Sequence, residues 1–528
     1  MPDHSSSKVA AKAAVDAVKK LKKSISMYKK EPSYMSNQTA IVAAIAAAGA
    51  TYAATYAALW MRRKKRLERL ARDHRQEGCE KIKLLPHENS FVIKTSLAMN
   101  TITFFDCDSQ AQVEAAQLYF EDRTQAIVDA NPWLAGFLDI DEADPNHNLA
   151  LYVPPTKVNS QGGNSFQVLD TLGDLDVSDY YPLVEKLGAA MVGTTVEHVA
   201  SLGTNISKHG IDEDDRATPT WEPLWRVTFL PQTSKDSHRF GIVVSGNHSV
   251  MDGHGYYKLF NMLSSQESIQ AMSPIRKDLK QRIDNVTGSE PSVLEAPPIG
   301  FIMSFIASTV FNAIVPQTES TGYLVDPDWI AQGKAQYRNS NETTSDARDA
   351  PPFVSTNDLV VSTFCREADV DMAIMAINMR GRANQCTDDL VGNYEHLLSY
   401  GKEDCITPSS IRKSIMGRPY QRVGASSPDG PKLPTNFQHL FGCKYAAITN
   451  WATFAKDVQV EAGNKTLIQS LHLPLFDFPK STPACTYCSM VVFQPKEGTV
   501  GILAGGKASL MERLAETGMV GSLLYTTR

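Results

Sequence analysis

The stretch FGIVVSGNHSVMDGHG, residues 240–255, decides the fold because it joins two kinds of structure through a short polar loop. Its first seven residues are rich in apolar side chains, which is typical of a buried β-strand. The following GYYKLFNMLSS, at 255–265, places Tyr257, Phe260 and Leu263 on one face of a helix. Glycines on both sides of the loop permit tight turns, and a strand end holds a side chain in a rigid position. We therefore predict that functional residues lie in this loop.

The loop contains a His-x-x-x-Asp-Gly string that starts at His248. A histidine side chain ordinarily titrates near pH 6.5, so it can be neutral at working pH and take a proton from a bound hydroxyl. Asp252, four residues later, could fix the loop by pairing with a cation. A loop histidine that is merely hydrogen-bonded is the competing interpretation, because a short string of this kind also occurs by chance.

The bulk composition is that of a globular protein with a large core. The chain has 528 residues, of which 42% are hydrophobic and 21% charged, which is enough for two domains. A net charge of -6 gives no basis for nucleic-acid binding. Eight scattered cysteines favour a reducing compartment. Cys485 and Cys488 form the single C-x-x-C pair, without a second pair or a histidine cluster, so we predict no metal site.

The N-terminal tenth of the chain predicts a membrane association. Residues 1–38 include a basic amphipathic helix at 7–30, which could lie on an anionic membrane or simply be solvated. Residues 39–61 carry no charge, and as a helix they would be roughly 35 Å long against a hydrocarbon core of about 30 Å. We predict a transmembrane or membrane-embedded helix there; an alanine-rich soluble helix packed on a partner is the alternative.

The flanking charges predict how the rest of the chain is oriented. The run RRKKR at 62–66 opens a basic juxtamembrane helix that we extend over 62–85. By the positive-inside rule this places the C-terminal part in the cytosol, at the endoplasmic reticulum or another organelle membrane. A glycosylation sequon at Asn247, directly before His248, also disfavours a lumenal site.

The remaining chain alternates between strand and helix patterns and predicts an α/β protein in two halves. The first half covers 86–275 and the second 351–528. Between them, 276–350 has the polar composition of a crossover or linker. This linker also contains the charge-free segment 299–315, which is too short to span a membrane comfortably and is either a buried crossover helix or a segment that dips into the membrane.

Four further motifs stand in order around the histidine loop. They are NPWLAG at 131–136, STNDL at 355–359, NMRGR at 378–382 followed by Gly392-Asn393, and TNW at 449–451. Together with the histidine motif they resemble the BAHD acyltransferases and, more widely, the chloramphenicol-acetyltransferase-like superfamily, which includes condensation domains and wax ester synthases. The resemblance covers roughly residues 90 to 520. Two positions depart from the wider superfamily: Asn247 stands where a second histidine is usual, and Asp477-Phe478-Pro479 only echoes a conserved motif.

The resemblance implies two subdomains with mixed sheets and flanking helices, and a catalytic set made of His248, Asp252 and Thr449. In this set His248 is the general base, Asp252 faces away from the substrate to pair with Arg380, and Thr449 donates to the oxyanion. His254 is a possible substitute base. The residues implied to support the site structurally are Gly253, Arg380, Asn393 and Trp451.

The resemblance also implies a reaction. Acyl-CoA is the expected co-substrate, with no permanently bound cofactor, and the chain is expected to act as a monomer. With a membrane helix in front, the expected acceptor is the hydroxyl of an apolar molecule such as a lipid alcohol, sterol, pigment or terpenoid. An amine acceptor is an alternative, and so is a catalytically silent member that binds acyl ligands or tethers a partner at the membrane.

Overall fold

A computed structural model describes most of the chain from residue 78 to residue 526. The described residues are 78–90, 93–94, 98–141, 143–146, 148–155, 165–169, 187–193, 222–231, 238–288, 318–343, 350–422, 443–475 and 487–526. They form a mixed α/β structure, as the sequence predicts.

The described strands and helices follow each other along the whole chain. The strands are β1 Glu80–Lys83, β2 Met99–Asp106, β3 Phe137–Ile140, β4 Leu149–Val153, β5 Phe166–Val168, β6 Trp225–Leu230, β7 Arg239–Gly246, β8 Thr318–Val325, β9 Met372–Asn378, β10 Glu395–Gly401, β11 Tyr445–Asn450, β12 Gln459–Ala462, β13 Lys465–Pro474, β14 Tyr487–Phe493, β15 Gly501–Lys507 and β16 Val520–Thr526. The α-helices are α1 Gln110–Ala130, α2 Gly253–Asn261, α3 Lys280–Thr287, α4 Pro327–Thr343, α5 Thr356–Glu367, α6 Lys402–Cys405, α7 Pro408–Ser414 and α8 Ala508–Glu516.

The first large sheet has the strand order β12-β13-β2-β7-β6-β5. Strand β7 is central, antiparallel to β2 on one side and to β6 on the other. All its residues after Arg239 are buried, which explains the apolar run in the sequence. At its end Gly246 lies between Met99 and Trp225. The histidine loop therefore leaves the middle of a sheet.

The second large sheet has the strand order β10-β9-β11-β14-β15-β8-β16. Strand β11 runs parallel to both of its neighbours, β9 and β14. Strand β14 pairs with β15 in antiparallel register. A separate three-stranded sheet has the order β1-β4-β3.

The chain exchanges strands between the two halves. After β11 in the second sheet, β12 and β13 form a hairpin, and β13 pairs with β2 of the first sheet before the chain returns as β14. The hairpin turns at Gly463, which has a φ of +69°, a conformation that favours glycine. Residues 459–474 therefore belong to the first sheet, although the predicted second half, 351–528, includes them.

Two other predicted segments differ from the structure. The predicted linker, 276–350, contains β8, which lies between β15 and β16 inside the second sheet, and the 17-residue helix α4. The predicted juxtamembrane helix covers 62–85, but the described residues near its end form the strand β1. This strand pairs with β4 in antiparallel register. In both cases the polar residues of the segment suggested a different kind of structure.

Several predicted segments lie outside the described residues. They are the amphipathic helix at 7–30, the membrane helix at 39–61, most of the basic segment 62–85, and the apolar segment 299–315. Among the helices that the structure does describe, none has both the length and the apolar character needed to span a bilayer.

Candidate active site

The loop after β7 is held by Asn247, the residue before the histidine. Its side chain is fully buried, and its Oδ1 accepts a hydrogen bond from the Ser249 amide at 3.0 Å. Its own backbone N–H donates to the Leu224 carbonyl at 2.8 Å. Asn247 therefore shapes the turn, and the side chain that emerges from the turn is His248.

The imidazole of His248 is oriented by Asn393 of the second half. Nδ1 lies 3.0 Å from Oδ1 of Asn393, and Nδ2 of Asn393 donates to the His248 carbonyl at 2.8 Å. An amide oxygen only accepts, so Nδ1 carries the proton and donates to it. The lone pair is then on Nε2. The side chain keeps 20% of its surface exposed, so this nitrogen sits in a ring that solvent still reaches.

The orientation of Asn393 is itself fixed by a buried carboxylate, Glu88. Oε1 of Glu88 accepts from the Asn393 backbone N–H at 2.8 Å and from its Nδ2 at 3.3 Å. Oε2 accepts from Arg276 at 3.1 Å. Because a carboxylate attracts the NH₂ end of the amide, the oxygen end must face His248. Gly392 makes this approach possible: its φ is +114°, and a Cβ there would lie 3.0 Å from Oε1 of Glu88.

Asp252 forms the predicted pair with Arg380, which is confirmed. The guanidinium Nη1 lies 2.7 Å from Oδ2 of Asp252, and both side chains are almost fully buried. The same carboxylate accepts from the backbone N–H groups of Tyr394, at 2.9 Å, and Gly255, at 3.0 Å, where it caps helix α2. Burial raises the pKa of Asp252, but the charge and hydrogen bonds of Arg380 outweigh it, and the pKa is lowered.

Arg380 uses its remaining donors on backbone carbonyls. Nε and Nη2 donate to Leu390 at 3.1 and 2.9 Å, and Nη2 also donates to Gly392 at 2.9 Å. The ion pair thus joins the loop after β7 to the 379–394 loop between β9 and β10. With its oxygens engaged by three donors, Asp252 is a positioning group.

His254, the possible substitute base, has both ring nitrogens engaged. Nε2 lies 3.3 Å from the Asp388 carbonyl, which can only accept. Nδ1 lies 3.4 Å from Nδ2 of Asn378, whose Oδ1 is taken by Arg380. The lone pair of His254 therefore accepts from Asn378. Burial lowers the pKa of His254, and Arg380 lowers it further. This ring is structural.

A second carboxylate, Glu395, lies beside His248. It is the first residue of β10, and its Oε1 is 3.9 Å from Nε2 of the imidazole. Its side chain keeps 17% of its surface exposed. Burial raises the pKa of Glu395, and the charge of His248 offsets only part of that effect. Nothing in the sequence pattern marked Glu395 or Glu88, since each is a single acidic residue outside the recognised motifs.

Trp451, the residue after β11, contacts the start of helix α2, and Thr449 lies two residues earlier, in that strand. Thr449 is half-buried, one residue before the end of the strand. Trp451 is buried and packs on helix α2, with ring centroids 5.8 Å from Tyr257. A Cβ at Gly253 would lie 3.3 Å from Nε1 of Trp451. Gly253 therefore lets the indole sit against the start of the helix. The structure brings the TNW strand and the histidine loop together.

A cavity of about 580 Å³ opens beside the end of β11. Its wall includes Lys334 from α4, the start of α5 at Asn357, and Asn450 and Ala452 after β11. Ser355 caps α5 by accepting from the Asp358 amide, and Nδ2 of Asn450 donates to Asn357 at 2.8 Å. The STNDL and TNW motifs therefore share one wall. Among the described residues, no group of three or more His, Cys, Asp or Glu side chains is arranged to hold a metal ion.

Comparison with solved structures identifies the fold. No protein-family model matches the sequence, and no curated protein matches it. The chain is similar to F. graminearum TRI101 complexed with coenzyme A and deoxynivalenol, at 13% identity and a TM-score of 0.52, over 84% of this chain and 100% of that one. The fold is that of the BAHD-type acyltransferases. TRI101 complexed with coenzyme A and T-2 mycotoxin gives 13% identity and a TM-score of 0.51 over the same shares.

At 13% identity this likeness is evidence for the fold alone. Within that fold, the structure brings His248, Asp252, Arg380 and Asn393 together, and Trp451 packs beside them. The two acidic residues at the same place, Glu88 and Glu395, are additions from the structure.

Proposed function

We propose that the chain is an acyl-CoA-dependent acyltransferase in which His248 is the general base. The observation that carries this proposal is the state of the imidazole: Nδ1 donates to Asn393, so Nε2 keeps its lone pair in a partly exposed ring. A base must present an unprotonated nitrogen to its substrate. In the neutral ring, the hydrogen bond to Asn393 places the proton on Nδ1 and leaves Nε2 as the nitrogen that can accept a proton.

In the proposed reaction, Nε2 of His248 takes the proton from the acceptor hydroxyl as its oxygen forms a bond to the thioester carbon. Negative charge then develops on the carbonyl oxygen, where the Thr449 hydroxyl donates a hydrogen bond. When the intermediate collapses, the carbon–sulfur bond breaks and the protonated imidazole returns its proton to the CoA sulfur. A single oxyanion donor contributes about 2.7 to 4 kcal/mol to such steps. The reaction needs no acyl-enzyme, because both substrates meet at His248.

We place the CoA moiety in the cavity beside β11. CoA carries several phosphates, and the cavity offers Lys334 and Arg338 from one helix together with the start of α5. Cations and a helix N-terminus both favour phosphate groups. The thioester end would then extend past Asn450 towards Thr449. The similar TRI101 structures are complexes with coenzyme A.

For the acceptor, we propose the hydroxyl of an apolar molecule. The TRI101 structures contain deoxynivalenol in one case and T-2 mycotoxin in another. In this chain, the charge-free segment 39–61 supports an apolar acceptor, because we propose that it anchors the enzyme to a membrane. The catalytic part would then lie in the cytosol. Carbonate extraction of membranes, with the full chain and with a chain lacking residues 1–66, tests the anchor; a full-length protein that washes off would refute it.

The catalytic proposal is tested by supplying acyl-CoA donors with a membrane lipid extract and following CoA release. His248→Ala should lower the rate by about 10²- to 10⁴-fold, the usual contribution of a general base. His238→Ala is the matched control, because that histidine is exposed on a separate loop. Equal release by the wild type and His248→Ala would remove His248 from the mechanism.

A further inference from the structure

The carboxylate of Glu395 differs from the other acidic groups around the site because it has no hydrogen-bond donor. Glu88 accepts from the Leu85 and Asn393 amides and from Arg276, and Asp252 accepts from two amides and Arg380. For Glu395, no N–H or O–H of the described residues lies within hydrogen-bonding distance. Largely buried polar groups without a partner are rare in folded proteins, and one that faces an open site is ready to bind a ligand.

The gap between Glu395 and the base has the width of one bound group. The 3.9 Å between Oε1 and Nε2 of His248 is too long for a hydrogen bond. For a ligand atom that lies about 2.8 Å from both Oε1 and Nε2, the angle at that atom between the two acceptors is about 90°. Such an angle suits an atom that donates one hydrogen bond to each of two acceptors. Both side chains remain partly exposed, so a ligand can reach this position.

Whether a ligand can bond to both His248 and Glu395 then depends on the number of donor hydrogens that it carries. An isolated hydroxyl has a single hydrogen, and in the proposed mechanism that hydrogen is on its way to Nε2. Such an acceptor would displace water from Glu395 and leave the carboxylate unpaired, which is costly for a charged group. A primary amine has a second hydrogen on the attacking atom. In a 1,2-diol, the second donor hydrogen belongs to the hydroxyl group on the adjacent carbon.

We propose that Glu395 is a specificity-determining residue that accepts a second hydrogen bond from the acceptor, so that the site prefers acceptors with two donor hydrogens over an isolated hydroxyl. The inference rests on the proposed function, because it takes Nε2 of His248 as the nitrogen that faces the attacking atom. Burial raises the pKa of Glu395, so a donor placed against the carboxylate also favours the ionised form that binds it.

Each acceptor gives a balanced reaction. With a diol, the proton leaves the attacking oxygen for Nε2 and ends on the CoA sulfur, while the neighbouring hydroxyl stays bonded to Glu395. With a primary amine, a carbon–nitrogen bond forms as the carbon–sulfur bond breaks, and one N–H proton passes through His248 to sulfur. An amine that arrives as the ammonium ion must first lose one further proton to solvent. Amide formation therefore acidifies an unbuffered solution, and ester formation does not.

The test compares three six-carbon acceptors with acetyl-CoA: 1-hexanol, 1,2-hexanediol and 1-hexylamine. The wild type should prefer the diol or the amine to the mono-alcohol, in kcat/KM and in the affinity measured by calorimetry. In Glu395→Ala these preference ratios should fall by about 10- to 100-fold, the usual contribution of a hydrogen bond to a charged group. Glu403→Ala is the control, since Glu403 is exposed in α6. Comparing 1,2-hexanediol with 1-hexylamine shows whether the second hydrogen comes from a neighbouring hydroxyl or from the attacking nitrogen.

The outcomes separate this inference from the proposed reaction. Preference ratios that are the same in the wild type and in Glu395→Ala would overturn the role of Glu395, even if CoA is released. Affinity ratios that fall in Glu395→Ala, without CoA release from any acceptor, would refute acyl transfer and retain Glu395 as the residue that recognises the ligand. A wild type that prefers 1-hexanol in both measurements would overturn the inference directly.

Discussion

Replacing Asn393 by alanine should weaken the base without removing it. The substitution deletes two hydrogen bonds with His248: the one that Nδ1 donates to Oδ1 of Asn393 at 3.0 Å, and the one that the His248 carbonyl accepts from Nδ2 at 2.8 Å. At about 0.5 to 1.5 kcal/mol each, they amount to about 1 to 3 kcal/mol, or about a 5- to 150-fold loss of the correctly oriented tautomer. We expect kcat to fall by that factor, whose upper end only reaches the lower end of the loss expected for His248→Ala. Steady-state measurement of CoA release, with acyl-CoA saturating, gives this value.

The control for this variant is Asn131→Ala. Asn131 is also fully buried, and its side chain also makes three hydrogen bonds, to the Ile127 and Gln270 carbonyls and from the Met272 amide. Both variants should lose similar stability in urea denaturation, but only Asn393→Ala should lose kcat. If Asn393→Ala keeps kcat within about threefold of the wild type while Asn131→Ala behaves as expected, the imidazole is not oriented by the amide.

Three further predictions concern the neighbouring groups. Arg380→Met leaves Asp252 buried and unpaired, so urea unfolding at pH 7 should show a loss of about 3 to 5 kcal/mol. The lowered pKa of Asp252 stabilises the wild-type fold fully above the ordinary value of 3.8, and this contribution is lost as the pH falls through the lowered pKa, so the gap between wild type and variant should narrow as the pH falls below 3.8. Thr449→Val should lower kcat by about 10²- to 10³-fold and Thr449→Ser by much less, as initial rates will show. Lys334→Glu combined with Arg338→Glu should raise the KM for acyl-CoA by about tenfold and change kcat less; an unchanged KM would remove CoA from the cavity.

The segment from β7 to α2 shows how much a local pattern can predict. An apolar run long enough for a central strand, a glycine at its end and an acidic helix cap are all visible in the sequence, and the strand, turn and helix follow in that order. The capping residue is Asp252, and the motif resemblance also implied its pairing with Arg380. That pair could be predicted although 128 residues separate Asp252 from Arg380, because each of them belongs to a recognised motif.

The strand exchange could not be predicted in the same way. The turn at Gly463 favours a hairpin, but nothing near it indicates which sheet the hairpin joins, since that depends on β2, more than 350 residues earlier. Strand β8 was missed for a related reason. Its Ser320 and Thr321 are polar yet almost fully buried between β15 and β16, so a composition typical of linkers conceals an interior strand.

Glu88 and Glu395 were missed because their meaning depends entirely on three-dimensional contacts. Glu88 lies in the segment between β1 and β2, outside every motif, and Glu395 follows the Gly-Asn motif without being part of it. In the fold they lie on opposite sides of one imidazole: Glu88 acts through Asn393 on Nδ1, and Glu395 lies near Nε2. Among the described residues, Glu88 has a donor on each carboxylate oxygen and Glu395 has none. That contrast, which no sequence pattern carries, separates a positioning role from a binding role.

The same contacts explain why the site should depend on both halves of the chain. His248 and Asp252 come from the first half, and their partners, Asn393 and Arg380, come from the loop between β9 and β10 of the second. Since Asp252 is buried, it is stable as a carboxylate only when Arg380 is in place. A first half that has folded alone would therefore hold an unpaired charge and a freely rotating imidazole. Packing of the halves supplies the cation and the amide together, so the base acquires its orientation in the same step that completes the fold.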